Sequence, residues 1–488
     1  MTPAASRLPA ARLPTVPILL LQGGKRSSKN LGMQKLFGTD GIRGQANRFP
    51  VNAELALKLG KALGKQLRAQ GYGSARAVIG KDTRLSGYML ETAITSGLVS
   101  AGCDVFLVGP VPTPAVAHLT RSLAADVGIM LTASHNPYDD NGIKIFSPLG
   151  YKLEDEAEEA LTRLILETDL NTDDIRSDQL GKAYRLDDAR GRYIEFAKST
   201  IDNAKLSGYK VVMDCANGAA YDIGPWIFRE LGAAITKSGV TPDGLNINTE
   251  CGAMHPERMA QLVKEQGADI GIALDGDADR VIFADANGAI VDGDRVLAAC
   301  AIAFKKRGLL ARDTLVVTSM SNLGLHDAMR RHGIAVEVTD VGDRYVIDAM
   351  RKGGYSLGGE KSGHLIFHNH ATTGDGIISA LQVMRVMKQE GKTLAELADC
   401  MTEYPQKLVS LKVKEKRPVH EVPVLAAAIQ SCEAELRDAG RVIVRYSGTE
   451  PKIRLLVEAS ESALVERWIE RLTQAVAEGQ GVCDEGGE

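Results

Sequence analysis

Three segments of this chain repeat one order of predicted elements: an apolar strand, a polar loop, a helical stretch and a second apolar strand. The first strands lie at residues 77–79, 211–213 and 315–317. A glycine ends each helical stretch, at Gly102, Gly232 and Gly333. Strands that alternate with glycine-terminated helices are typical of βα units on a mostly parallel sheet. The sequence therefore predicts one type of mixed α/β domain that is used three times.

Each segment continues through another helical stretch to a third strand, and a distinctive polar motif follows that strand. The motifs are TASHNP at residues 132–137, DGDADR at 275–280 and GEKSGH at 359–364. In open α/β sheets, ligands bind outside the carboxyl ends of the strands. Three equivalent loops with different polar motifs therefore predict one shared cleft.

The end of the chain predicts a smaller fourth unit. After residue 405 come a charged segment, a helical stretch at 422–438 and two β-rich runs on either side of a turn. This order is typical of an α+β domain. Because 488 residues are too many for one core, we expect four domains, at residues 33–186, 187–290, 291–405 and 406–488.

Residues 1–32 differ in composition from the rest, because they contain five basic residues and no acidic residue. They precede Met33, a second candidate start residue that stands directly before the first ordered-looking motif. We expect this stretch to be a disordered or non-native extension that activity does not require.

Composition and charge exclude several classes of protein. The net charge of −4, without a basic stripe, disfavours a nucleic-acid partner. The apolar cluster at residues 16–21 is interrupted by Pro17 and is too short to span a membrane. Seven cysteines without a CxxC pair indicate neither a zinc site nor a disulfide framework. A reducing, cytoplasmic setting is the expectation.

The loop predicted at residues 132–144 carries the first candidate catalytic group. Ser134 stands at its tip beside His135 and Asn136, and Lys144 follows ten residues later. A serine hydroxyl in this position could carry a covalent group. Asn-Pro and Asn-Gly pairs in the same stretch are equally compatible with an ordinary hydrophilic turn.

The second motif places three carboxylates within five residues, at Asp275, Asp277 and Asp279. Such a run is repulsive without a cation, and hard oxygen ligands suit Mg²⁺. A calcium EF-hand does not fit, because its sixth and twelfth positions would be Arg280 and Ala286. An acidic surface turn is the alternative, but the apolar strands on both sides favour a metal site.

The last motif, in the fourth domain, offers groups that suit a phosphate. They are Arg445, Ser447, Gly448, Thr449 and Arg454. Guanidinium forks match phosphate oxygens and turn N–H groups add donors, while the absence of GxxxxGK[ST] excludes a nucleotide P-loop. A salt-bridged hairpin turn is the alternative.

Five side chains are candidates for substrate chemistry. Glu360 and Ser362 provide an acceptor and a donor for sugar hydroxyls, and His364 can transfer a proton near neutral pH if it faces the cleft. A packed structural histidine is the alternative. Arg43, in the predicted glycine-rich loop FGTDGIRG, is a candidate for stabilising a transferring phosphoryl group, and Lys144 for the same role or for proton transfer. An ordinary solvated lysine remains the alternative for Lys144.

Together, TASHNP, DGDADR, GEKSGH and RYSGTEP resemble, in this order, the four signature loops of the α-D-phosphohexomutase superfamily over residues 33–488. KLFGTDGIRG, SHNPYDDNGIKIF, PDGLNIN and VGDRYV are most similar to bacterial phosphoglucosamine mutases. The resemblance implies four domains around a central cleft, one Mg²⁺ per chain and a phosphoserine at Ser134. Lys361, where glutamine is more usual, and Tyr446, where proline is usual, depart from the pattern.

The resemblance also implies roles for individual residues. Ser134 and the three aspartates, Asp275, Asp277 and Asp279, would hold the metal. Arg280 would face the substrate, Glu360 and Ser362 would read sugar hydroxyls, and Lys144 and His364 would move protons. The distal phosphate clamp would be Arg445, Ser447, Gly448, Thr449 and Arg454.

The implied reaction interconverts glucosamine 6-phosphate and glucosamine 1-phosphate, with glucosamine 1,6-bisphosphate as the intermediate and a candidate activator. Its product would supply UDP-N-acetylglucosamine and cell-wall synthesis. Phosphomannomutase or phosphoglucomutase activity is the alternative, and a non-catalytic sugar-phosphate sensor is a third. The expected partners are small sugar phosphates, without nucleic acid or membrane, and a homodimer is one expected assembly.

Overall fold

The computed structural model describes residues 36–38, 40–69, 71, 75–446 and 451–481. The extension expected at residues 1–32 lies outside these described residues. Within them the chain forms four sheets of six, five, four and three strands. The first three sheets share one topology and the fourth is antiparallel, as the repeat and the change after residue 405 predict.

The first sheet has the strand order β1-β5-β4-β2-β3-β6. Its elements are β1 (Ile42–Gln45), α1 (Ala53–Ala69), β2 (Arg76–Lys81), α2 (Ser86–Ser100), β3 (Asp104–Pro110), α3 (Thr113–Ser122), β4 (Val127–Leu131), β5 (Asp140–Phe146), α4 (Asp155–Glu167) and β6 (Ala183–Arg185). β2 is parallel to β3 and β4, whereas β5 returns antiparallel between β4 and β1. All five residues of β4 are buried, as expected for a strand covered on both faces.

The second sheet repeats this arrangement in the order β11-β10-β9-β7-β8. Its region contains α5 (Ala189–Ser199), β7 (Lys210–Asp214), α6 (Ile223–Glu230), β8 (Ala234–Ser238), α7 (Pro256–Gln266), β9 (Ile270–Leu274), β10 (Val281–Asp285) and β11 (Ile290–Val291). Again the first strand of the repeat, β7, is parallel to its two neighbours, and the strand after the polar loop, β10, is antiparallel.

The third sheet has the order β13-β12-β14-β15. Its region contains α8 (Gly293–Lys306), β12 (Thr314–Thr318), α9 (Leu323–Arg331), β13 (Ala335–Thr339), α10 (Asp343–Gly353), β14 (Leu357–Gly359), β15 (Leu365–Phe367), α11 (Gly376–Glu390) and α12 (Leu394–Ala398). β12 is parallel to β13 and β14, and β15 pairs antiparallel with β14. The three polar motifs therefore occupy one topological position, between the third strand of the repeat and an antiparallel return strand.

The structure corrects the extent of two predicted loops. The stretch predicted as a loop at residues 132–144 ends where β5 begins, at Asp140, and FGTDGIRG contributes β1. Because β5 pairs with β4 and β1 on both sides, tertiary pairing overrides the turn tendency of Asn141-Gly142. Gly142 serves close backbone approach instead, because a Cβ there would lie 2.6 Å from Thr132 O. Arg43 and Lys144 are consequently strand residues.

The fourth sheet, β16-β18-β17, packs against two helices. Its elements are β16 (Gln406–Lys412), α13 (Pro423–Leu436), β17 (Gly440–Tyr446), β18 (Lys452–Ala459) and α14 (Ser462–Gln480). Its core, around Leu425, Leu455 and Trp468, is separate from the cores beneath the other sheets. Among the described residues, no helix is both long and apolar enough to cross a membrane.

Candidate active site

Ser134 lies in the loop between β4 and β5, with its backbone in the left-handed region at φ 53°. Its N–H donates to Thr132 Oγ1 over 2.8 Å, within the tight turn. Its hydroxyl donates over 2.6 Å to Oδ2 of Asp275, which belongs to the equivalent loop of the second sheet. Ser134 is only 1% exposed. The structure thus brings the predicted carrier serine against the predicted metal loop.

The loop between β9 and β10, residues 275–280, is the predicted metal loop, and its three carboxylates converge. Asp275, Asp277 and Asp279 each offer one oxygen, and these oxygens lie within 4.8 Å of one another. Burial and then the charges of Asp279 and Asp277 raise the pKa of Asp275 well above its usual range. The Oδ1 atoms of Asp277 and Asp279 are buried without a hydrogen-bond partner in the described part of the chain. Buried carboxylate oxygens that lack a hydrogen bond fit a hard divalent cation such as Mg²⁺.

Lys144, on β5, inserts a positive charge among these carboxylates. Its Nζ lies 2.9 Å from Asp277 Oδ2 and 3.0 Å from Asp279 Oδ2. Burial alone would lower the pKa of Lys144, but Asp277, Asp279 and Asp40 hold it well above its usual value. Lys144 is therefore a buried ammonium group at the metal loop and not a solvated surface lysine.

Arg43, on β1, reaches the serine loop from the other side. Its Nη1 donates to Ala133 O over 3.3 Å, and its guanidinium pairs with Asp40. Burial would raise the pKa of Asp40, but the cations Lys144, Lys152 and Arg43 around it hold that pKa well below its usual range. Asp40 thus anchors three cations beside the serine, a role that sequence reasoning missed although Asp40 stands within FGTDGIRG.

His364, directly before β15, joins the third sheet to the metal loop. Its Nδ1 lies 3.7 Å from Asp279 Oδ1, and its Nε2 lies 3.6 Å from Asp343 Oδ2. Gly374 N–H donates to Nε2 over 3.0 Å, which places the proton of the neutral imidazole on Nδ1. Burial would lower the pKa of His364, but Asp279 and then Asp343 raise it. The ring is therefore buried, as the structural alternative expects, and it also lies beside Asp279.

The two predicted sugar readers lie on the same loop as His364. Glu360 Oε1 accepts from Gly342 N–H over 3.0 Å, and its Oε2 accepts from Ser362 Oγ over 3.4 Å. Ser362 is exposed. The intervening Lys361 turns to other partners, with its Nζ 2.7 Å from Glu403 Oε1 and 3.5 Å from Asp292 Oδ2.

Arg280 closes the metal loop. Its N–H donates to Asp275 Oδ1 over 3.1 Å, and its Nε lies 4.0 Å from Asp279 Oδ1. Burial would lower the pKa of Arg280, but Asp279 and Asp275 raise it. About a quarter of the side chain, 26%, remains exposed, so the guanidinium presents a cationic surface beside the loop.

Comparison with known proteins places this arrangement in a family. Profiles of the phosphoglucomutase/phosphomannomutase family match alpha/beta/alpha domain I at residues 34–172, domain II at 191–288, domain III at 292–404 and the C-terminal domain at 408–475. The phosphoglucosamine mutase of Citrifermentans bemidjiense is 52% identical over 450 residues, which cover 92% of this chain and 99% of that protein. That of Myxococcus xanthus is 49% identical over 450 residues, with 92% and 98% covered.

The chain belongs to the phosphoglucosamine mutase family. It is accordingly an isomerase of amino sugar metabolism. Solved structures share its fold. A phosphoglucomutase/phosphomannomutase family protein from Burkholderia thailandensis superimposes with a TM-score of 0.75 at 25% identity, covering 92% of this chain and 99% of that one. Aspergillus fumigatus N-acetylphosphoglucosamine mutase, in complex with GlcNAc-6P and magnesium, gives 0.63 at 20% identity, covering 91% and 96%.

In this member of the phosphoglucosamine mutase family, the fourth loop is described only at its flanks. Arg445 on β17 pairs directly with Arg454 on β18, so the two side chains project from one face of the sheet. Burial and then the charge of Arg454 lower the pKa of Arg445. Ser447, Gly448 and Thr449 lie outside the described residues. Two like charges opposite each other are unfavourable without an anion, which fits the predicted phosphate clamp.

Several site residues escaped sequence reasoning. Thr113, the first residue of α3, donates from Oγ1 to Asp277 Oδ2 over 2.5 Å and thereby orients a carboxylate of the metal loop. Lys152 pairs with both Asp40 and Asp343, so it links the first domain to the third. The sequence carried a weak signal for two of these positions. Thr113 follows a strand at the same sheet edge as the motifs, and Asp343 stands within VGDRYV.

Proposed function

We propose that the chain interconverts glucosamine 6-phosphate and glucosamine 1-phosphate, with Ser134 as the phosphoryl carrier. The observation that carries this proposal is the 2.6 Å hydrogen bond between the Ser134 hydroxyl and Asp275, because it puts a nucleophile directly on an acidic triad. The 52% identity to a phosphoglucosamine mutase supports the choice of glucosamine as the sugar.

In the proposed first half-reaction, phospho-Ser134 transfers its phosphoryl group to O1 of glucosamine 6-phosphate. The bond from phosphorus to Oγ breaks as the bond to O1 forms, and the proton that O1 loses is balanced by the proton that Oγ gains. Lys144 and His364 are the proposed proton-transfer groups, since both contact Asp279. Arg43, next to Ala133 O, stabilises the charge on the transferring group.

In the second half-reaction, glucosamine 1,6-bisphosphate turns over in the cleft, so that its 6-phosphoryl group returns to Ser134. Released bisphosphate would rephosphorylate an empty Ser134, which makes it a candidate activator. Glu360 and Ser362 bind sugar hydroxyls, and Arg280 contacts the substrate. The clamp of Arg445, Ser447, Gly448, Thr449 and Arg454 must accept either phosphate, which favours a fourth domain that opens and closes.

One Mg²⁺ per chain would be held by Ser134, Asp275, Asp277 and Asp279, and when bound it would neutralise charge at the phosphoryl group. The oxygens of Asp277 and Asp279 that lack a hydrogen-bond partner among the described residues support this assignment.

We further propose that the domains are residues 33–186, 187–290, 291–405 and 406–488. The enzyme acts on sugar phosphates in the cytoplasm, where its described cysteines stay reduced. A homodimer is the proposed assembly.

A coupled assay tests the choice of sugar. Glucosamine, glucose and mannose 6-phosphates are each supplied with the matching 1,6-bisphosphate, and formation of the 1-phosphate is followed. We expect the highest kcat/KM with glucosamine 6-phosphate. A higher value with glucose or mannose would favour the phosphoglucomutase or phosphomannomutase alternative, and no turnover of any of the three would favour a sensor.

Mass spectrometry tests the carrier. Active enzyme is digested, and the peptide that contains Ser134 is examined for one added phosphoryl group before and after incubation with excess glucosamine 6-phosphate. We expect phosphate on Ser134 in the active sample. An active preparation with that peptide unmodified throughout turnover would refute the scheme.

Replacing Arg445 by alanine is expected to weaken substrate binding more than chemistry. The clamp holds the phosphate that is not being transferred, so KM should rise by about 10-fold or more while kcat changes less. Steady-state kinetics measure both constants. The control is Arg471→Ala, which removes an arginine that packs 5.0 Å from the Trp468 ring centre on α14. Equal KM values for the two variants would contradict the clamp.

Replacing Lys361 by the more usual glutamine is expected to leave sugar preference nearly unchanged. Because the ammonium of Lys361 is bound to Glu403 and Asp292, the ratio of kcat/KM for glucosamine over glucose phosphates should shift by less than about 3-fold, well below the effect of a lost buried substrate contact. The same coupled assay measures the ratio. A shift of tenfold or more would show that Lys361 reads the sugar.

A further inference from the structure

The carrier loop holds Ser134 in a conformation that needs support. A non-glycine residue with φ of 53° lies in the left-handed region, where side chains are crowded. The turn points the Ser134 hydroxyl at Asp275, and the Ser134 carbonyl lies against Gly276 in the same loop as Asp275. The bond from Ser134 N–H to Thr132 Oγ1 is local to the loop. Whatever binds the carbonyl side therefore helps to set the direction of the hydroxyl.

Two buried side chains bind that carbonyl side. Arg84 Nη2 donates to Asn136 O over 2.5 Å and to Ser134 O over 3.3 Å. Asn248 Nδ2 donates to the same two carbonyls, each over 2.9 Å. Each of the two oxygens thus accepts from both side chains. We refer to Arg84 and Asn248 as the carbonyl clamp.

The two members of the carbonyl clamp are themselves fixed. Arg84 is fully buried and pairs with the buried carboxylate of Asp82, next to β2. Asn248 is 7% exposed, and its N–H donates to Ala216 O over 2.9 Å in the loop after β7. One member comes from the first domain and the other from the second.

The backbone around the carbonyl clamp joins these two domains. Thr83 Oγ1 donates to Asn217 O over 2.6 Å, and Leu85 N–H donates to Gly244 O over 3.0 Å. Gly276, within the metal loop, packs so closely that a Cβ there would lie 2.6 Å from Ser134 O and 2.8 Å from Asn248 Nδ2. The loop that contains Ser134 and the metal loop are therefore held against each other by Asn248.

We propose that Arg84 and Asn248 are positioning residues for phosphoryl transfer. By binding the carbonyl oxygens of Ser134 and Asn136, they hold the hydroxyl oxygen of Ser134 in line with the metal loop. Neither residue touches the reacting atoms, and the inference rests on the proposed role of Ser134 as carrier. A misplacement of about 1 Å at a reacting atom can cost about 100-fold in rate. The first two domains then keep the carrier and the metal loop aligned while the fourth domain moves.

Asn248→Ala tests the proposal, with Asn246→Ala as the matched control. Asn246 lies in the same loop, but within the described residues its side chain bonds inside that loop, to Thr241 O and Asp243 N. We expect Asn248→Ala to lower kcat by about 10- to 100-fold with KM changed less than about 3-fold, the size of effect seen when a supporting hydrogen bond to a reacting group is lost. Asn246→Ala should retain both constants.

Two further variants and two further measurements separate positioning from folding. Asn248→Asp keeps the shape but replaces the donor by a carboxylate that repels both carbonyls, so kcat should fall further than in Asn248→Ala. Arg84→Lys keeps the charge beside Asp82 but loses the planar guanidinium group, and it should also lower kcat. Thermal unfolding is measured for every variant, and phosphate transfer from glucosamine 1,6-bisphosphate to Ser134 is timed by mass spectrometry.

The proposal is supported if phosphorylation of Ser134 slows in parallel with kcat while Asn248→Ala unfolds within a few degrees of the unmodified protein. It is overturned if Asn248→Ala matches Asn246→Ala in kcat, if only KM rises, or if loss of activity merely follows loss of thermal stability. Failure of the carrier assignment is distinguishable, because unmodified enzyme would then turn over without phosphate on Ser134.

Discussion

Replacing Ser134 by alanine is expected to reduce turnover of glucosamine phosphates by roughly 10⁴-fold or more, the scale of loss seen when a covalent nucleophile is removed. The hydroxyl is the atom that would carry the phosphoryl group in the proposed mechanism. Burial and then the cations Arg280 and Arg43 lower the pKa of the adjacent His135 to about 4, so this ring is neutral near pH 7. Substrate binding should persist, because the proposed phosphate clamp around Arg445 and the proposed sugar-binding residues Glu360 and Ser362 lie on other loops.

Three measurements make this prediction specific. The coupled assay gives residual turnover, calorimetry with glucosamine 6-phosphate gives binding, and thermal unfolding reports on the fold. Ser100→Ala is the control, since Ser100 bonds back to Gly97 O at the end of α2 and its loss should leave kcat unchanged. Retention of more than about a tenth of the activity by Ser134→Ala would exclude this serine as the carrier.

The parts of this molecule that sequence could predict are those with a local signal. Strand and helix periods, together with Gly102, Gly232 and Gly333, are enough for the three repeated sheets. The polar motifs mark the loops after the third strands, and TASHNP and DGDADR lead to Ser134 and the three aspartates. Each of these features depends on neighbours within a few residues of chain, where propensity and spacing are informative.

The parts that sequence could not predict depend on partners far apart in the chain. Lys144 is 133 residues from Asp277, and Asn248 is 114 residues from Ser134. The turn dipeptide Asn141-Gly142 became part of a strand only because β1 and β4 pair with β5 on both sides. Lys361, which departs from the usual motif, pairs with Glu403, which lies 42 residues further along the chain. Sequence spacing contains no information about such contacts.

Replacing Asp277 by asparagine is expected to uncouple the protein from Mg²⁺. The change keeps the shape but removes one of the proposed anionic ligands, so metal affinity should fall by about 100-fold or more. A cation that binds only the folded state raises its unfolding temperature by mass action. The unmodified protein should therefore unfold at higher temperature as Mg²⁺ is added, and Asp277→Asn should respond little. Turnover should fall by about 10³-fold.

Each form is also unfolded in EDTA, because the response to Mg²⁺ must be measured against the metal-free form of the same variant. Asp277 Oδ2 accepts from the buried ammonium group of Lys144 and from Thr113 Oγ1. Asp277→Asn removes a counter-charge of Lys144, so in EDTA it should unfold at a lower temperature than the unmodified protein. Asp285→Asn is the control, because this buried carboxylate at the end of β10 accepts from Asn287 and Ala289 N–H groups. It should keep the full response to Mg²⁺, whereas an equally full response in Asp277→Asn would remove Asp277 from the metal site.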